Sequence, residues 1–362
     1  MSIISIMFQA VAMLCNSIAQ TPLSRVSWIF KSLLAPSLMV ISVLISLCSC
    51  APTTAVIQPP EKDIFQSEDY IVYKLGDGET PEVLAKRFLG NERRAWRIEE
   101  ANNGAAFRSG EFIVIPLKDR NKGGLSAEGY QTIPILAYHQ FGENCKSLLC
   151  VPTQIFELQM RYLKENGYKV ITAEELLAFL EYRQSLPKKS VLITMDDGYR
   201  SVYSIAYPIL KKYGFTAIFF IYTDFVGVSS SAVTWDQLRE MKANGFTIGS
   251  HTMFHSDLTK KKVGETEVEF IARIKKELHG SKEIIDQKLG QDTYIFAYPY
   301  GRHDQRSIEY ARLAGYKIAM SVKRGGNPFF TYPLSLRRDM ILKRDMQVFI
   351  SRLKTFNHLP LE

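Results

Sequence analysis

Val191-Leu192-Ile193-Thr194-Met195-Asp196-Asp197-Gly198 joins a run typical of a buried β-strand to two adjacent carboxylates and a glycine. A second apolar run, Phe246-Thr247-Ile248-Gly249, continues into Ser250-His251-Thr252-Met253-Phe254-His255. Carboxylates and imidazoles at the ends of strands can gather around one divalent metal ion. The two stretches therefore predict a metal-binding hydrolytic site built on a sheet.

Short apolar strands alternate with longer amphipathic helices from Thr132 onward, which is typical of an α/β barrel or a doubly wound sheet. Polar motifs follow the strands, and strand C-termini share one rim of a parallel barrel, so we predict a distorted (β/α) barrel. Those motifs are Tyr138-His139, Asp196-Asp197-Gly198, the histidine pair and Tyr298-Pro299-Tyr300-Gly301. The predicted strands are 133–137, 170–172, 191–195, 216–221, 247–249, 295–297, 318–321 and 334–336, and the predicted helices are 154–166, 173–181, 203–213, 235–244, 263–289 and 307–314.

The composition fits a chain with a sizeable core. It has 362 residues, of which 46% are hydrophobic, enough for more than one domain. A formal net charge of +8 favours general attraction to anionic envelope material. The sequence holds no basic-aromatic motif typical of nucleic-acid binding, so we expect no nucleic-acid partner.

The N-terminal segment has the pattern of an export signal. Arg25 and Lys31 precede an apolar stretch at 33–47, and Leu47-Cys48-Ser49-Cys50 follows. That tetrapeptide resembles the lipobox of bacterial lipoproteins, which implies lipidation of Cys50 and an exported, membrane-anchored protein of the cell envelope. The alternative is an ordinary secretory signal or an uncleaved anchor.

The cysteines outside the predicted signal segment also agree with export. If Cys50 is lipidated, Cys145 and Cys150 form an even pair that could close a small disulfide loop in an oxidising compartment. The alternative is a pair of free thiols.

Residues 68–118 predict a small domain with the order strand, helix, helix, strand. Its opening "Tyr-Ile-Val" at 70–72, the turn "Gly-Asp-Gly-Glu-Thr" at 76–80, "Ala-Asn" at 101–102 and "Ile-Val-Ile-Pro" at 113–116 resemble a LysM module. The resemblance implies binding to N-acetylglucosamine-containing glycans such as peptidoglycan. The alternative is a small domain without affinity for a ligand. The predicted organisation is a signal segment at 1–50, a tether at 51–67, this βααβ domain at 68–118, a linker at 119–131 and a catalytic domain at 132–362.

Asp197, His251 and His255 offer the three nitrogen and oxygen ligands of a catalytic zinc site with one position left for water. The histidines are spaced i, i+4, but no glutamate follows His251, which excludes a His-Glu-x-x-His protease. Zinc is the favoured ion, with cobalt and nickel as alternatives. The neighbouring Asp196 is a candidate general base.

Three motifs carry a family resemblance. Thr-Met-Asp-Asp-Gly at 194–198, Ser-His-Thr-Met-Phe-His at 250–255 and Phe-Ala-Tyr-Pro-Tyr-Gly at 296–301 resemble those of NodB-type polysaccharide deacetylases, carbohydrate esterase family 4. Ala137-Tyr138-His139 looks like the branch that deacetylates poly-β-1,6-N-acetylglucosamine. The resemblance spans about 133–339 and implies N-deacetylation of an N-acetylated glycan. The alternatives are a non-catalytic wall-binding lipoprotein and an O-acetyl esterase.

The resemblance also implies a role for each matching position. The implied roles are Asp196 as base, Asp197, His251 and His255 as metal ligands, Tyr300 as oxyanion donor through its backbone N–H, Tyr298 and Tyr300 as walls of the sugar groove, and His139 as acid. His358 competes with His139 for the acid role. Arg338-Asp339 either tunes the acid or base or forms a surface salt bridge, and His279 and His303 are expected on the surface.

Overall fold

The computed structural model describes residues 64–342 and 345–359. The predicted signal segment, including Cys50, and most of the predicted tether lie outside these residues. Within them, no helix combines the length and the apolar character needed to cross a membrane.

The described chain contains short strands and helices in an alternating order. The strands are β1 (Ile64–Gln66), β2 (Tyr70–Lys74), β3 (Phe112–Pro116), β4 (Leu125–Ser126), β5 (Gly129–Gln131), β6 (Ile135–Tyr138), β7 (Gln140–Gly142), β8 (Cys150–Pro152), β9 (Lys169–Val170), β10 (Ser190–Met195), β11 (Ile218–Ile221), β12 (Thr247–Ser250), β13 (Ile295–Ala297), β14 (Ile318–Met320), β15 (Asp339–Met340) and β16 (Phe356–His358). The helices are α1 (Pro81–Leu89), α2 (Ala95–Ala101), α3 (Thr153–Glu165), α4 (Ala173–Leu180), α5 (Tyr207–Tyr213), α6 (Trp235–Ala243), α7 (Glu267–Lys275), α8 (Ser281–Leu289), α9 (Gln305–Leu313) and α10 (Met346–Ser351).

A curled parallel sheet forms the centre of the larger domain. Its strand order is β14-β13-β12-β11-β10-β6-β15, and β9 also pairs with β10. Every residue of β10 is buried, and neighbouring residues such as Leu192 and Ile193 pack into different hydrophobic clusters. Helices therefore cover a sheet that is apolar on both faces, as in α/β proteins. The predicted (β/α) barrel fold is confirmed.

One segment lies against both edges of this sheet. Residues 336–340, the closing segment, begin at Leu336, whose N–H donates to Ala319 O at 2.9 Å beside β14. The same segment continues as β15, which pairs in parallel with β6. The backbone groups of both edge strands thus find hydrogen-bond partners in one short stretch of chain.

The small domain has the predicted strand–helix–helix–strand order. β2 and β3 pair antiparallel, and the two helices connect them. Thr80 caps α1 through its side chain and Pro81 occupies the first turn, where its missing N–H costs nothing. Leu84, Ile98 and Ile115 are fully buried and form its core.

Ion pairs join the small domain to the barrel. Arg93 reaches Glu175 at the start of α4 with two hydrogen bonds of 2.9 and 2.7 Å, and Lys169 lies 3.0 Å from Glu99. The predicted linker is also more ordered than expected, because β4 and β5 within it form a sheet with β16. Repeated polar and glycine residues hid these short strands from sequence analysis.

The predicted helix at 263–289 is interrupted. It begins only after the capping residue Thr266, and α7 and α8 are separated by a π-helical turn, Lys276–Gly280. Such turns are frequent at functional sites. The predicted strand at 334–336 is also different, because Pro333–Ser335 is a 3₁₀ turn and Leu336 alone pairs with β14.

Candidate functional site

The paired aspartates diverge where β10 ends. The Asp196 N–H still donates to Tyr138 O at 2.9 Å and continues the ladder with β6. At Asp197 the backbone turns into the left-handed region, with φ of 76°, followed by Gly198 at 84°. The turn sends the two carboxylates to different partners, Asp196 to an arginine and Asp197 to the histidines.

Asp197, His251 and His255 form a set of three donors. Asp197 Oδ1 lies 3.5 Å from His251 Nε2 and 3.4 Å from His255 Nε2. All three donor atoms lie within 4.8 Å of one another. Ligands held about 2.0–2.1 Å from one tetrahedral zinc ion would lie about 3.3–3.4 Å apart. The spacing and the chemistry of this donor set fit a divalent ion such as zinc, cobalt or nickel.

A backbone contact orients the first histidine. His251 Nδ1 lies 2.7 Å from Ala297 O at the end of β13, which fixes the ring and leaves Nε2 facing Asp197. Burial would lower the pKa of His251, but the hydrogen bond to Asp197 and the charges of Asp196 and Asp197 together raise it. For His255, burial and then the neighbouring His251 lower the pKa to about 4. A neutral imidazole at His255 is the form that binds a metal.

Backbone strain concentrates at this site. Of the non-glycine residues with positive φ in the described chain, Asp197, Thr252, His255 and Tyr300 all belong to its motifs. Each such conformation costs about 1–3 kcal/mol and persists only where its surroundings enforce it. The strained positions are where the chain leaves a strand and presents a side chain to the rim.

Arg338 of the closing segment holds Asp196. Its Nη1 donates to Asp196 Oδ1 at 2.7 Å and its Nη2 to Oδ2 at 2.8 Å. Further bonds to Ser321 O at 2.9 Å and Thr194 Oγ1 at 3.1 Å satisfy the guanidinium. Arg338 is fully buried. The surface salt bridge considered from the sequence is therefore wrong, and Arg338 contacts the candidate base directly.

This contact keeps Asp196 ionised. Burial would raise the pKa of Asp196, but Arg338 opposes it most strongly and the pKa falls to about 2. Burial would also raise the pKa of Asp197, but the hydrogen bond with His251 and the charge interactions with His251 and His139 together lower it. Both carboxylates are thus held in the charged form, which a base and a metal ligand require.

His139 is the histidine that the structure places beside Asp196. Its Nε2 lies 3.9 Å from Asp196 Oδ2, it is 8% exposed, and burial lowers its pKa. His358, the competing candidate, is exposed in β16 and pairs with β5. The arrangement favours His139 for chemistry at the rim.

The two tyrosines of the 296–301 motif have different surroundings. Tyr300 is 57% exposed, and its ring centroid lies 4.6 Å from that of His255. Tyr298 is fully buried, donates to Leu334 O at 2.9 Å and stacks on His303. The structure therefore exposes the Tyr300 ring beside His255 and buries the ring of Tyr298, because residues two apart across this turn do not point the same way.

The other histidines differ as well. His279 is exposed, as expected. His303 is only partly exposed, and its Nε2 lies 2.8 Å from Ser335 Oγ, so it braces the turn that carries Tyr300 instead of standing free on the surface.

Glu277 anchors the loop that carries His255, a role that sequence analysis missed. The side chain is 2% exposed, and its Oε2 accepts the N–H groups of Met253 and Phe254 at 2.9 Å each. Its Oε1 accepts the Ser256 hydroxyl. The sequence did indicate a buried carboxylate here, because Glu277 falls on the apolar face of the predicted helix, three residues after Ile274.

A disulfide lies close to His139 in the chain. Cys145 and Cys150 are bonded, and they bracket the loop between β7, which starts at Gln140, and β8. The bond ties down the segment that leaves the rim after His139.

Comparisons with known proteins agree with this geometry. The family described as Polysaccharide deacetylase matches residues 183–319. YxkH of Bacillus subtilis (strain 168), named as a polysaccharide deacetylase, is 32% identical over 208 residues, which cover 58% of this chain and 71% of that protein. A poly-β-1,6-N-acetyl-D-glucosamine N-deacetylase of Staphylococcus aureus (strain MRSA252) is 31% identical over 173 residues, which cover 46% of this chain and 59% of that protein.

Solved structures show the same fold. Streptococcus pyogenes deacetylase PplD, in complex with acetate, superposes with a TM-score of 0.56 at 29% identity, covering 62% of this chain and 98% of that one. IcaB from Ammonifex degensii also gives 0.56, at 27% identity, covering 62% and 97%. With its parallel barrel and its rim of aspartates and histidines, the chain belongs to the polysaccharide deacetylase family and is an amide-bond hydrolase.

Proposed function

We propose that the protein is a metal-dependent N-deacetylase of N-acetylglucosamine units in an envelope or extracellular polysaccharide. The proposal rests on the presence, at one rim of the barrel, of a possible metal donor set with two further titratable side chains beside it. Asp197, His251 and His255 form a donor set for a metal, while Asp196 and His139 lie beside it without belonging to that set. A hydrolase needs a base and an acid in addition to its ligands.

A divalent ion held by Asp197, His251 and His255 would supply Lewis-acid activation of water and of the acetamide carbonyl. Asp196 takes the proton of the attacking water, and Arg338 keeps its carboxylate ionised and oriented for that step. The Tyr300 backbone N–H, turned by a positive φ of 59°, helps to hold the developing negative charge on the carbonyl oxygen.

His139 protonates the departing amine. Because burial lowers the pKa of His139, its imidazole is neutral before the reaction and has to acquire a proton during it. Asp196, whose Oδ2 lies 3.9 Å from His139 Nε2, is the nearby group that gains a proton in the attack step. This separation is longer than a hydrogen bond, so a water molecule or a substrate group has to bridge the two side chains for that proton to reach His139.

The glycan proposed as substrate is poly-N-acetylglucosamine, peptidoglycan or a chitin-like chain. The exposed Tyr300 ring beside His255 offers a face on which a sugar can stack. The name of the Staphylococcus aureus relative supports poly-N-acetylglucosamine. We propose that residues 68–118 act as a LysM-like glycan-binding module, which favours peptidoglycan as the substrate. We also propose that the protein is exported and that lipid on Cys50 anchors it to the membrane.

Acetate release tests the proposed reaction. Purified protein supplied with zinc, cobalt or nickel is expected to release acetate from N-acetylglucosamine oligomers, and a chelator is expected to stop it. Asp196→Asn should bind the metal yet lose turnover, whereas the surface change Asp236→Asn should retain it. Release of acetate from O-acetylated but not N-acetylated glycans would identify an esterase instead.

A further inference from the structure

A cavity of about 710 Å³ lies against the closing segment, apart from the proposed metal centre. Arg337 and Asp339, the two neighbours of Arg338 in the chain, both line it, while Arg338 itself reaches Asp196. None of the residues assigned a role in catalysis lines this cavity.

The cavity is strongly basic. Five cationic side chains line it against the single carboxylate of Asp339, a surplus of four positive charges, and the cations are Lys323, Arg324, Arg337, Arg352 and Lys354. Asp339 lies 3.5 Å from Arg324 and 3.7 Å from Arg352. Lys323, Arg337 and Lys354 form no ion pair within the described part of the chain. Like charges around one concavity repel each other, and an anion between them relieves that repulsion.

The apolar part of the lining is mainly aromatic. Phe330 is 60% exposed, and its ring packs edge-on against Tyr130 at 5.1 Å. Tyr332 is also exposed, and apart from Pro328 the lining contains no aliphatic side chain. Flat rings in a concave site suit the C–H faces of a pyranose.

A buried hydroxyl provides a further polar group. Thr132 lines the cavity, is almost completely buried, and its Oγ1 has no hydrogen-bond partner among the described residues. A buried polar atom without a partner is costly, and a hydrogen bond from a ligand would offset that cost.

We propose that this cavity binds a saccharide that carries an anionic substituent, a carboxylate or a phosphate group. The cations bind the anionic group, and the rings of Phe330 and Tyr332 pack on the sugar. The site is separate from the proposed deacetylation centre, so binding can be measured whether or not the protein releases acetate.

Calorimetric titration of the full-length protein with galacturonic acid oligomers tests this site. Arg337→Gln/Lys354→Gln is expected to weaken binding at least tenfold, whereas the matched surface pair Lys288→Gln/Lys317→Gln should not. Phe330→Ala should also weaken binding, unlike Leu313→Ala, which truncates an exposed side chain elsewhere. All these side chains are exposed, so unchanged thermal melting is the expected check on folding.

Other results would overturn the proposal. Equal losses in both charge pairs would show diffuse attraction only, and an unaffected Phe330→Ala would remove the sugar contact. Neutral N-acetylglucosamine oligomers should bind Arg337→Gln/Lys354→Gln as they bind the wild type, and an equal loss for them would contradict an anionic ligand. Binding to phosphatidylglycerol vesicles without binding to the acidic oligomer would indicate a lipid surface.

Discussion

Arg338 and Asp196 form a buried two-pronged ion pair across 142 residues of sequence, with N–O distances of 2.7 and 2.8 Å. One partner belongs to the end of the central strand β10 and the other to the segment that lies against both sheet edges. The contact therefore links the closure of the barrel to the ionisation of the proposed base.

Arg338→Gln is expected to lower both stability and turnover. Removing one partner of a buried ion pair leaves an uncompensated charge and costs about 3–5 kcal/mol in unfolding free energy. Misplacing the base should reduce kcat/KM by about 10²–10⁴-fold. Denaturant unfolding and acetate release measure the two effects. The exposed pair of Arg312 with Glu309 supplies the control, since Arg312→Gln should change stability by about 1 kcal/mol or less.

The pH dependence of kcat/KM distinguishes loss of the Arg338–Asp196 contact from general destabilisation of the protein. Arg338 lowers the pKa of Asp196 to about 2 against the effect of burial. Without Arg338 that pKa rises, and because the base acts only when ionised, the acidic limb of kcat/KM should move to higher pH. Arg338→Lys keeps the charge and should move the limb less than Arg338→Gln. Identical acidic limbs in all three proteins would contradict the assigned base.

Glu277→Gln is expected to weaken metal binding without touching a ligand. An amide cannot accept the three donors of Met253, Phe254 and Ser256, so the His255 loop loses its anchor. Partners of metal ligands typically contribute about 10–100-fold to metal affinity. Competition with a fluorescent chelator measures this affinity, and Glu283→Gln, an exposed change on α8, is the control. Equal affinities for the two variants would show that Glu277 is only structural.

Tyr300→Ala and Tyr298→Phe should have opposite signatures. The exposed Tyr300 ring is proposed to contact the sugar, so its loss should raise KM while the backbone N–H and kcat are largely kept. Tyr298→Phe removes the buried hydrogen bond to Leu334 O and should lower stability by about 1 kcal/mol with KM unchanged. Steady-state kinetics and thermal melting separate them. A raised KM in Tyr298→Phe would instead show that the Tyr298 side chain contributes to sugar binding.

The sequence allowed the barrel and the donor set to be predicted because both are encoded locally. An apolar run followed at once by Asp196 and Asp197 specifies a strand and the groups at its end. The same holds for His251 and His255 after β12. Parallel pairing then brings these ends together without further information.

Arg338 and Glu277 could not be assigned in this way, because their roles depend on distant partners. Nothing near Arg338 in the chain indicates Asp196, and an arginine in a polar stretch of the chain reads equally well as a surface position. Glu277 lies in a pattern that predicts an unbroken amphipathic helix, and nothing in that pattern indicates the loop of Met253 and Phe254 that its carboxylate anchors. For Tyr298 the motif predicted a side chain in the sugar groove, but packing buries that side chain in the core.

The closing segment also orders events during synthesis. The ribosome produces Asp196, Asp197, His251 and His255 before it reaches Arg338, so a growing chain carries the proposed metal ligands before the proposed base has a counter-charge. Until residues 336–340 emerge, both edges of the sheet remain open and Asp196 cannot be buried as a carboxylate without penalty. The proposed base thus gains its counter-charge only at the stage of synthesis when the barrel can close.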